Sequence, residues 1–63
     1  MTDYYDYDYI VAPDSDTVQY GYWYCKTFST LTEARKYARA IGERVYRVYF
    51  DRHTGDFVSF KEM

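Results

Sequence analysis

The segment Tyr4-Tyr5-Asp6-Tyr7-Asp8-Tyr9-Ile10-Val11 alternates with a period of two residues, which predicts a β-strand. One face of this strand carries Tyr5, Tyr7, Tyr9 and Val11, and the other carries Tyr4, Asp6, Asp8 and Ile10. Aromatic and β-branched residues favour strands, so the composition agrees with the alternation. The segment therefore begins a sheet with rings on one side and carboxylates on the other.

Local signals after this strand predict a hairpin and then a helix. Pro13-Asp14-Ser15-Asp16 is typical of a turn, and a second strand is predicted over residues 18–27. Thr30 and Glu33 match a helix capping box, and Gly42 is the residue type that commonly ends helices. We therefore expect a helix of about twelve residues between these two positions.

The chain after Gly42 predicts a second hairpin. Residues 44–50 alternate again and form the third strand, and residues 57–61 form a short closing strand. The connection over residues 51–56 contains Gly55, which is available for a positive φ.

These elements predict an α+β fold of order ββαββ, in which a four-stranded antiparallel sheet has one helix packed on one face. The prediction treats residues 1–63 as a single domain. Antiparallel pairing throughout needs the first strand beside the third or the second beside the fourth, and both orders stay open. The second sheet face would be uncovered and would display aromatic and charged side chains, as interaction surfaces do.

The amino-acid composition limits which kinds of site and function the chain can have. Fifteen of the 63 residues are aromatic, and in so small a domain we expect rings to supply much of the stability. One cysteine allows no intrachain disulfide, and with one histidine it is too few for a structural zinc site, so no metal or cofactor is expected. The serines have only His53 as a candidate base, which predicts a protein without enzymatic activity.

The net charge of −2 hides an uneven distribution of charge. Residues 1–16 contain five aspartates and no lysine or arginine, whereas residues 17–42 contain four basic residues and one acidic residue. Carboxylates beside flat tyrosine rings imitate phosphates beside bases and favour a partner with a basic surface. The candidate partner-binding residues are Asp3, Tyr4, Asp6, Asp8, Asp14 and Asp16.

Three other interpretations stay open. The first strand is a plain edge strand if its tyrosines pack under the helix and Asp6 and Asp8 only prevent aggregation. A nucleic-acid-binding module would use Arg35, Lys36, Arg39, Arg44 and Arg47, with Tyr46 and Tyr49 as stacking residues. A structural homodimer would pair open aromatic faces or edge strands of two copies.

The compartment is predicted from signals near the N-terminus and from the lone cysteine. No basic segment followed by an apolar run is present, so no signal peptide is expected. The apolar stretches are only a few residues long, so no membrane partner is expected. An unpaired Cys25 fits a reducing compartment, and the sequence therefore predicts the cytoplasm.

At the level of class, the chain resembles small accessory proteins of phages and mobile elements, among them anti-CRISPR and anti-restriction inhibitors. The likeness rests on the length and on Asp3-Tyr4-Tyr5-Asp6-Tyr7-Asp8-Tyr9, Leu31-Thr32-Glu33-Ala34-Arg35-Lys36-Tyr37-Ala38, Val48-Tyr49-Phe50-Asp51 and Thr54-Gly55-Asp56. It implies a phage-encoded inhibitor that binds a bacterial nucleoprotein enzyme, such as a CRISPR effector, in the host cytoplasm and blocks its nucleic-acid site. The strongest DNA mimics are far more acidic, so a local acidic strip is expected here.

Overall fold

The computed structural model describes residues 5–63 as one antiparallel sheet with two α-helices, a small α+β fold. The strands are β1 (Tyr5–Ala12), β2 (Lys26–Phe28), β3 (Arg44–Asp51) and β4 (Phe57–Glu62), and the helices are α1 (Ser15–Gly21) and α2 (Leu31–Ile41). The strand order is β2-β1-β3-β4, so the first strand lies beside the third. The expected ββαββ order is matched, with α1 as an additional short helix.

The second predicted strand is wrong over most of its length. Residues 15–21 form α1, Tyr22–Tyr24 form a 3₁₀ turn, and only Lys26–Phe28 pair in the sheet. The physical reason lies at Asp14, whose carboxylate accepts a hydrogen bond from the Thr17 backbone N–H at 2.8 Å. A side-chain cap of this kind satisfies a free N–H of the first helical turn, and the buried Val18 then holds the helix against the sheet.

The predicted helix is confirmed at both ends. The Thr30 hydroxyl accepts a hydrogen bond from the Glu33 backbone N–H at 3.3 Å, which begins α2 as the capping box predicts. Gly42 ends the helix in the left-handed region, with φ of 74°. The hydrogen bonds that define these ends join residues close together in the chain. The residue types at the two ends were therefore sufficient to predict where the helix begins and ends.

Both faces of the sheet are covered at the end where β1 finishes. On one face, Ala34 and Ala38 of α2 pack against Tyr9, Val11 and Val45 of the sheet. On the other face, Val18 of α1 packs against Ile10, Ala12, Tyr46 and Val48. The predicted faces of β1 are therefore confirmed for its second half. The expectation of an uncovered second face is wrong there, because α1 and the ring of Tyr22 pack on it.

The β3–β4 hairpin closes the domain. The Asp51 carboxylate accepts hydrogen bonds from the backbone N–H groups of His53 and Thr54, and Gly55 adopts the expected positive φ of 78°. These hydrogen bonds hold the pKa of Asp51 below its ordinary value. None of the helices within residues 5–63 is long and apolar enough to cross a membrane.

Candidate binding surfaces on the sheet

The first half of β1 has an open edge. The short β2 pairs only with residues 9–11, whereas β3 pairs with all of β1. Within the part of the chain that the structure describes, residues 5–8 therefore have a strand on one side only. We call residues 5–8 the β1 edge. Every second residue of such an edge directs its backbone N–H and C=O away from the sheet, where another strand can pair.

Two of the predicted site residues lie on the β1 edge. Asp6 and Asp8 are exposed on the sheet face opposite α2, as the alternation predicts. Asp6 forms an ion pair with Arg52 at 3.3 Å, but both side chains are at least half exposed, so the pair contributes little to stability. Asp8 has no ion pair within 4.0 Å among residues 5–63. The edge therefore presents one weakly paired and one unpaired carboxylate.

The other predicted acidic residues do not join this group. Asp14 and Asp16 lie beyond the far end of β1, which is roughly 23 Å long at 3.3 Å per residue. Asp14 caps α1, and its hydrogen bonds from Thr17 lower the pKa of the carboxyl. Asp3 and Tyr4 lie outside the described residues. The acidic strip expected from the sequence is thus divided, and its described part on the edge is Asp6 and Asp8.

The tyrosines of β1 are only partly covered by α2. Tyr9 is buried at 6% exposure, whereas Tyr5 is 41% and Tyr7 is 49% exposed. The helix lies over the end of the sheet that contains Val11 and Val45, and it leaves the other end open. The interpretation in which all three rings pack under the helix is therefore wrong for Tyr5 and Tyr7.

Arg47 lies on the sheet face that α2 packs against, at the end of the sheet that α2 leaves open. We call this face the α2 side. Its guanidinium lies 4.8 Å from the ring centre of Tyr7 and 5.1 Å from that of Tyr9. It donates hydrogen bonds to the Tyr9 hydroxyl at 2.6 Å and to the Tyr49 hydroxyl at 3.4 Å. The hydrogen bonds to Tyr49 and Tyr9 raise the pKa of Arg47, so the side chain stays charged. The rings and the cation therefore form one cluster of direct contacts.

A second group of exposed rings lies where α1 continues into the 3₁₀ turn. Tyr20 is 73%, Trp23 is 61% and Tyr24 is 86% exposed. Sequence reasoning missed this group because the period-two spacing of tyrosines placed these residues in a strand. The signal that could have found it is the capping residue Asp14, which begins a helix and so changes which rings face the core.

The cations of the alternative nucleic-acid interface are dispersed. Arg35, Lys36 and Arg39 lie exposed on α2, whereas Arg44 pairs with Glu62 at 3.6 Å and Arg47 belongs to the tyrosine cluster. Tyr46 is 1% exposed, so its predicted stacking role is wrong.

The remaining reactive side chains are isolated. His53 is exposed in the β3–β4 hairpin. Burial raises the pKa of the partly buried Cys25 thiol, and nearby Glu43 adds to the effect, so little of the reactive thiolate is present at neutral pH. Within residues 5–63, no three His, Cys, Asp or Glu side chains are grouped so that they could hold a metal ion.

Comparisons with family models, with curated proteins and with solved structures found no match to this chain.

Proposed function

We propose that this chain is a non-catalytic binding protein, and that its β1 edge pairs with an extended segment on the basic surface of a protein partner. The observation that carries the proposal is that β2 ends at residue 28, so that no strand within residues 5–63 pairs with one side of residues 5–8, which include Asp6 and Asp8. Adding a strand to such an edge gives affinity through main-chain hydrogen bonds. The two carboxylates then select lysine or arginine in the added strand and repel acidic segments.

Charge also argues for a different protein as the partner and against a second copy of this chain. If two copies paired antiparallel through residues 5–8 with α2 on the same side of the joint sheet, carboxylates would lie opposite carboxylates. Like charges that face each other across a strand pair are destabilising. The same two side chains thus disfavour self-association through this edge and favour a basic partner.

The resemblance to small phage-type inhibitors makes a bacterial nucleic-acid-binding enzyme the first partner to test. Such an enzyme, for example a CRISPR effector, carries lysine and arginine where it contacts phosphates. Docking of the β1 edge there inhibits the enzyme by covering its nucleic-acid site, with no reaction on this chain. The lone Cys25 fits action in the reducing cytoplasm.

The test compares partner capture by two charge-matched double variants. Asp6→Lys/Asp8→Lys reverses the edge charges, and Asp56→Lys/Glu62→Lys makes the same charge change at exposed positions elsewhere. Proteins captured from a bacterial lysate are identified by mass, and the affinity of the purified partner is then measured by calorimetry. We expect the edge variant to weaken binding at least about tenfold, since charge pairs that bind in register contribute more than about 1.4 kcal/mol. Equal affinity for both variants would refute the proposal.

A further inference from the structure

The open end of the α2 side of the sheet is a second surface, distinct from Asp6 and Asp8, which lie on the opposite face. Tyr5, Tyr7 and Tyr49 lie there side by side, and we call these three residues the tyrosine platform. The rings of Tyr7 and Tyr49 are 6.2 Å apart. Tyr5 and Tyr49, with Val58 and Ser59, line a shallow depression of about 270 Å³. The rings of Tyr7 and Tyr49 are tilted by 56° to each other, and the depression beside them is large enough to receive a planar group.

Two cations lie next to the tyrosine platform without an acidic partner. Arg47 and Lys61 are direct neighbours in the register of β3 and β4, and both lie on the α2 side of the sheet. Neither forms an ion pair within 4.0 Å in the described part of the chain. Because like charges placed directly opposite each other across strands are destabilising, this arrangement favours binding of anionic groups beside them.

The Arg47 side chain is already held in place for such a ligand. It is stacked against Tyr7 and Tyr9 and hydrogen-bonded to two tyrosine hydroxyls, so few rotamers remain to be lost on binding. Its Nε is buried and has no hydrogen-bond partner within residues 5–63. Because that Nε is buried, the donors left for an anion are the second N–H groups of Nη1 and Nη2, each of which gives only one hydrogen bond to a tyrosine hydroxyl.

We infer that this surface binds single-stranded nucleic acid, with bases stacked on the tyrosine platform, one phosphate bound by Arg47 and a neighbouring phosphate bound by Lys61. The repetition of rings favours a polymer of bases over a single aryl phosphate. Tyr5 and Tyr7 are two residues apart on β1, a separation of about 6.6–6.8 Å that allows successive bases of one strand to contact them. Stacking on tyrosine tolerates any base, so the surface is not selective for sequence.

The probe is a fluorescein-labelled oligothymidylate of ten nucleotides, and binding to the full chain is followed by anisotropy at 50 and 200 mM salt. Two phosphate contacts on a single strand give a slope of about −1.4 in log K against log salt, so affinity should fall about sevenfold. Lys61→Ala removes one contact, and the fall should then be about 2.6-fold. Lys36→Ala, at an exposed position of α2, is the matched control and should keep the sevenfold fall.

Stacking is tested with a pair of tyrosine variants. Tyr7→Ala should weaken binding at least about fivefold, whereas Tyr20→Ala, at a more exposed tyrosine on α1, should leave affinity unchanged. Far-UV circular dichroism and urea unfolding verify that the variants are folded. Lys61→Ala should not lower the urea midpoint, because it removes a like-charge neighbour of Arg47.

Three results would overturn the inference. The first is no binding of the oligonucleotide at 50 mM salt. The second is an equal change in salt dependence for Lys36→Ala and Lys61→Ala, which would assign binding to diffuse charge on α2. The third is competition by phosphotyrosine at the same molar concentration as the oligonucleotide's nucleotides, which would assign the site to a single aryl phosphate. These results concern the side chains of Tyr7 and Lys61 on the α2 side of the sheet, whereas strand pairing at the β1 edge is tested separately by the variants at Asp6 and Asp8.

Discussion

Val18 holds α1 against the sheet. We therefore predict how much stability the domain loses when this residue is truncated to alanine. The side chain is fully buried between α1 and the sheet, against Ile10, Tyr46 and Val48. Val18→Ala removes two methyl groups, which together contribute about 1–3 kcal/mol when removed from a core. Alanine is the better helix former by about 0.5 kcal/mol, which offsets part of the loss. We expect the free energy of unfolding to fall by about 0.5–2.5 kcal/mol.

This loss is large for the domain, because 63 residues give a total stability of about 3–9 kcal/mol. Urea unfolding followed by circular dichroism measures it, and with a slope near 1 kcal/mol per M the midpoint should fall by about 0.5–2.5 M. Gln19→Val at the neighbouring exposed position tests the helix itself: it should destabilise a helix by about 0.5 kcal/mol, whereas it would stabilise a strand. A loss below about 0.5 kcal/mol for Val18→Ala, or a gain for Gln19→Val, would contradict the packing of α1.

Three further predictions follow from the titratable and exposed side chains. Asp14 and Asp51 have pKa values lowered below 3.8 by hydrogen bonds, so their contribution to stability is present above pH 3.8 and is lost as pH falls through the folded-state values. Urea midpoints between pH 2 and pH 6 should show this loss, and Asp14→Asn should reduce it. The Cys25 thiol, whose pKa burial raises, should react with a disulfide reagent at pH 8 more slowly in the folded chain than in urea; equal rates would show that the thiol is exposed. Trp23→Ala should change the free energy of unfolding by less than about 1 kcal/mol, because the indole is 61% exposed, and a larger loss in urea unfolding would show that Trp23 is part of the core.

The elements that were predicted from the sequence are those with local signals at their ends. The hydrogen bond between Thr30 and Glu33 and the positive φ of Gly42 depend on residues within one turn of α2. The alternation of β1 likewise assigned its rings and carboxylates to the correct faces. A pattern confined to one element was sufficient in these cases, because neighbouring side chains determine the local conformation.

The α1 region was mispredicted because two signals overlap there. Val18, Tyr20, Tyr22 and Tyr24 are spaced as in a strand, whereas Asp14 caps a helix over the same residues. Burial decides between them: Val18 has no exposed surface, and Tyr20 faces the solvent. The packing of residues 15–21 against the second sheet face decides between helix and strand. The spacing of the residues in the sequence does not reveal this packing.

The candidate surfaces depend on distances along the sheet that no local pattern gives. The β1 edge exists because β2 has three residues and stops at Phe28. The tyrosine platform exists because α2 covers Tyr9 but not Tyr7. Arg47 reaches the Tyr9 hydroxyl from 38 positions away in the chain. These features result from tertiary packing. The sequence therefore indicated residues that belong to the two surfaces, but it did not predict how those residues are arranged.

The pairing of a partner strand with the β1 edge is tested most directly by amide hydrogen exchange, read residue by residue by NMR, with and without the captured partner. The free protein should exchange rapidly at those amides among residues 5–8 that point away from β3, since no described strand pairs with that side. Binding should slow exchange at these alternate amides, and Asp6→Lys/Asp8→Lys should abolish the effect. Protection that appears instead around Trp23, with residues 5–8 unchanged, would contradict the account.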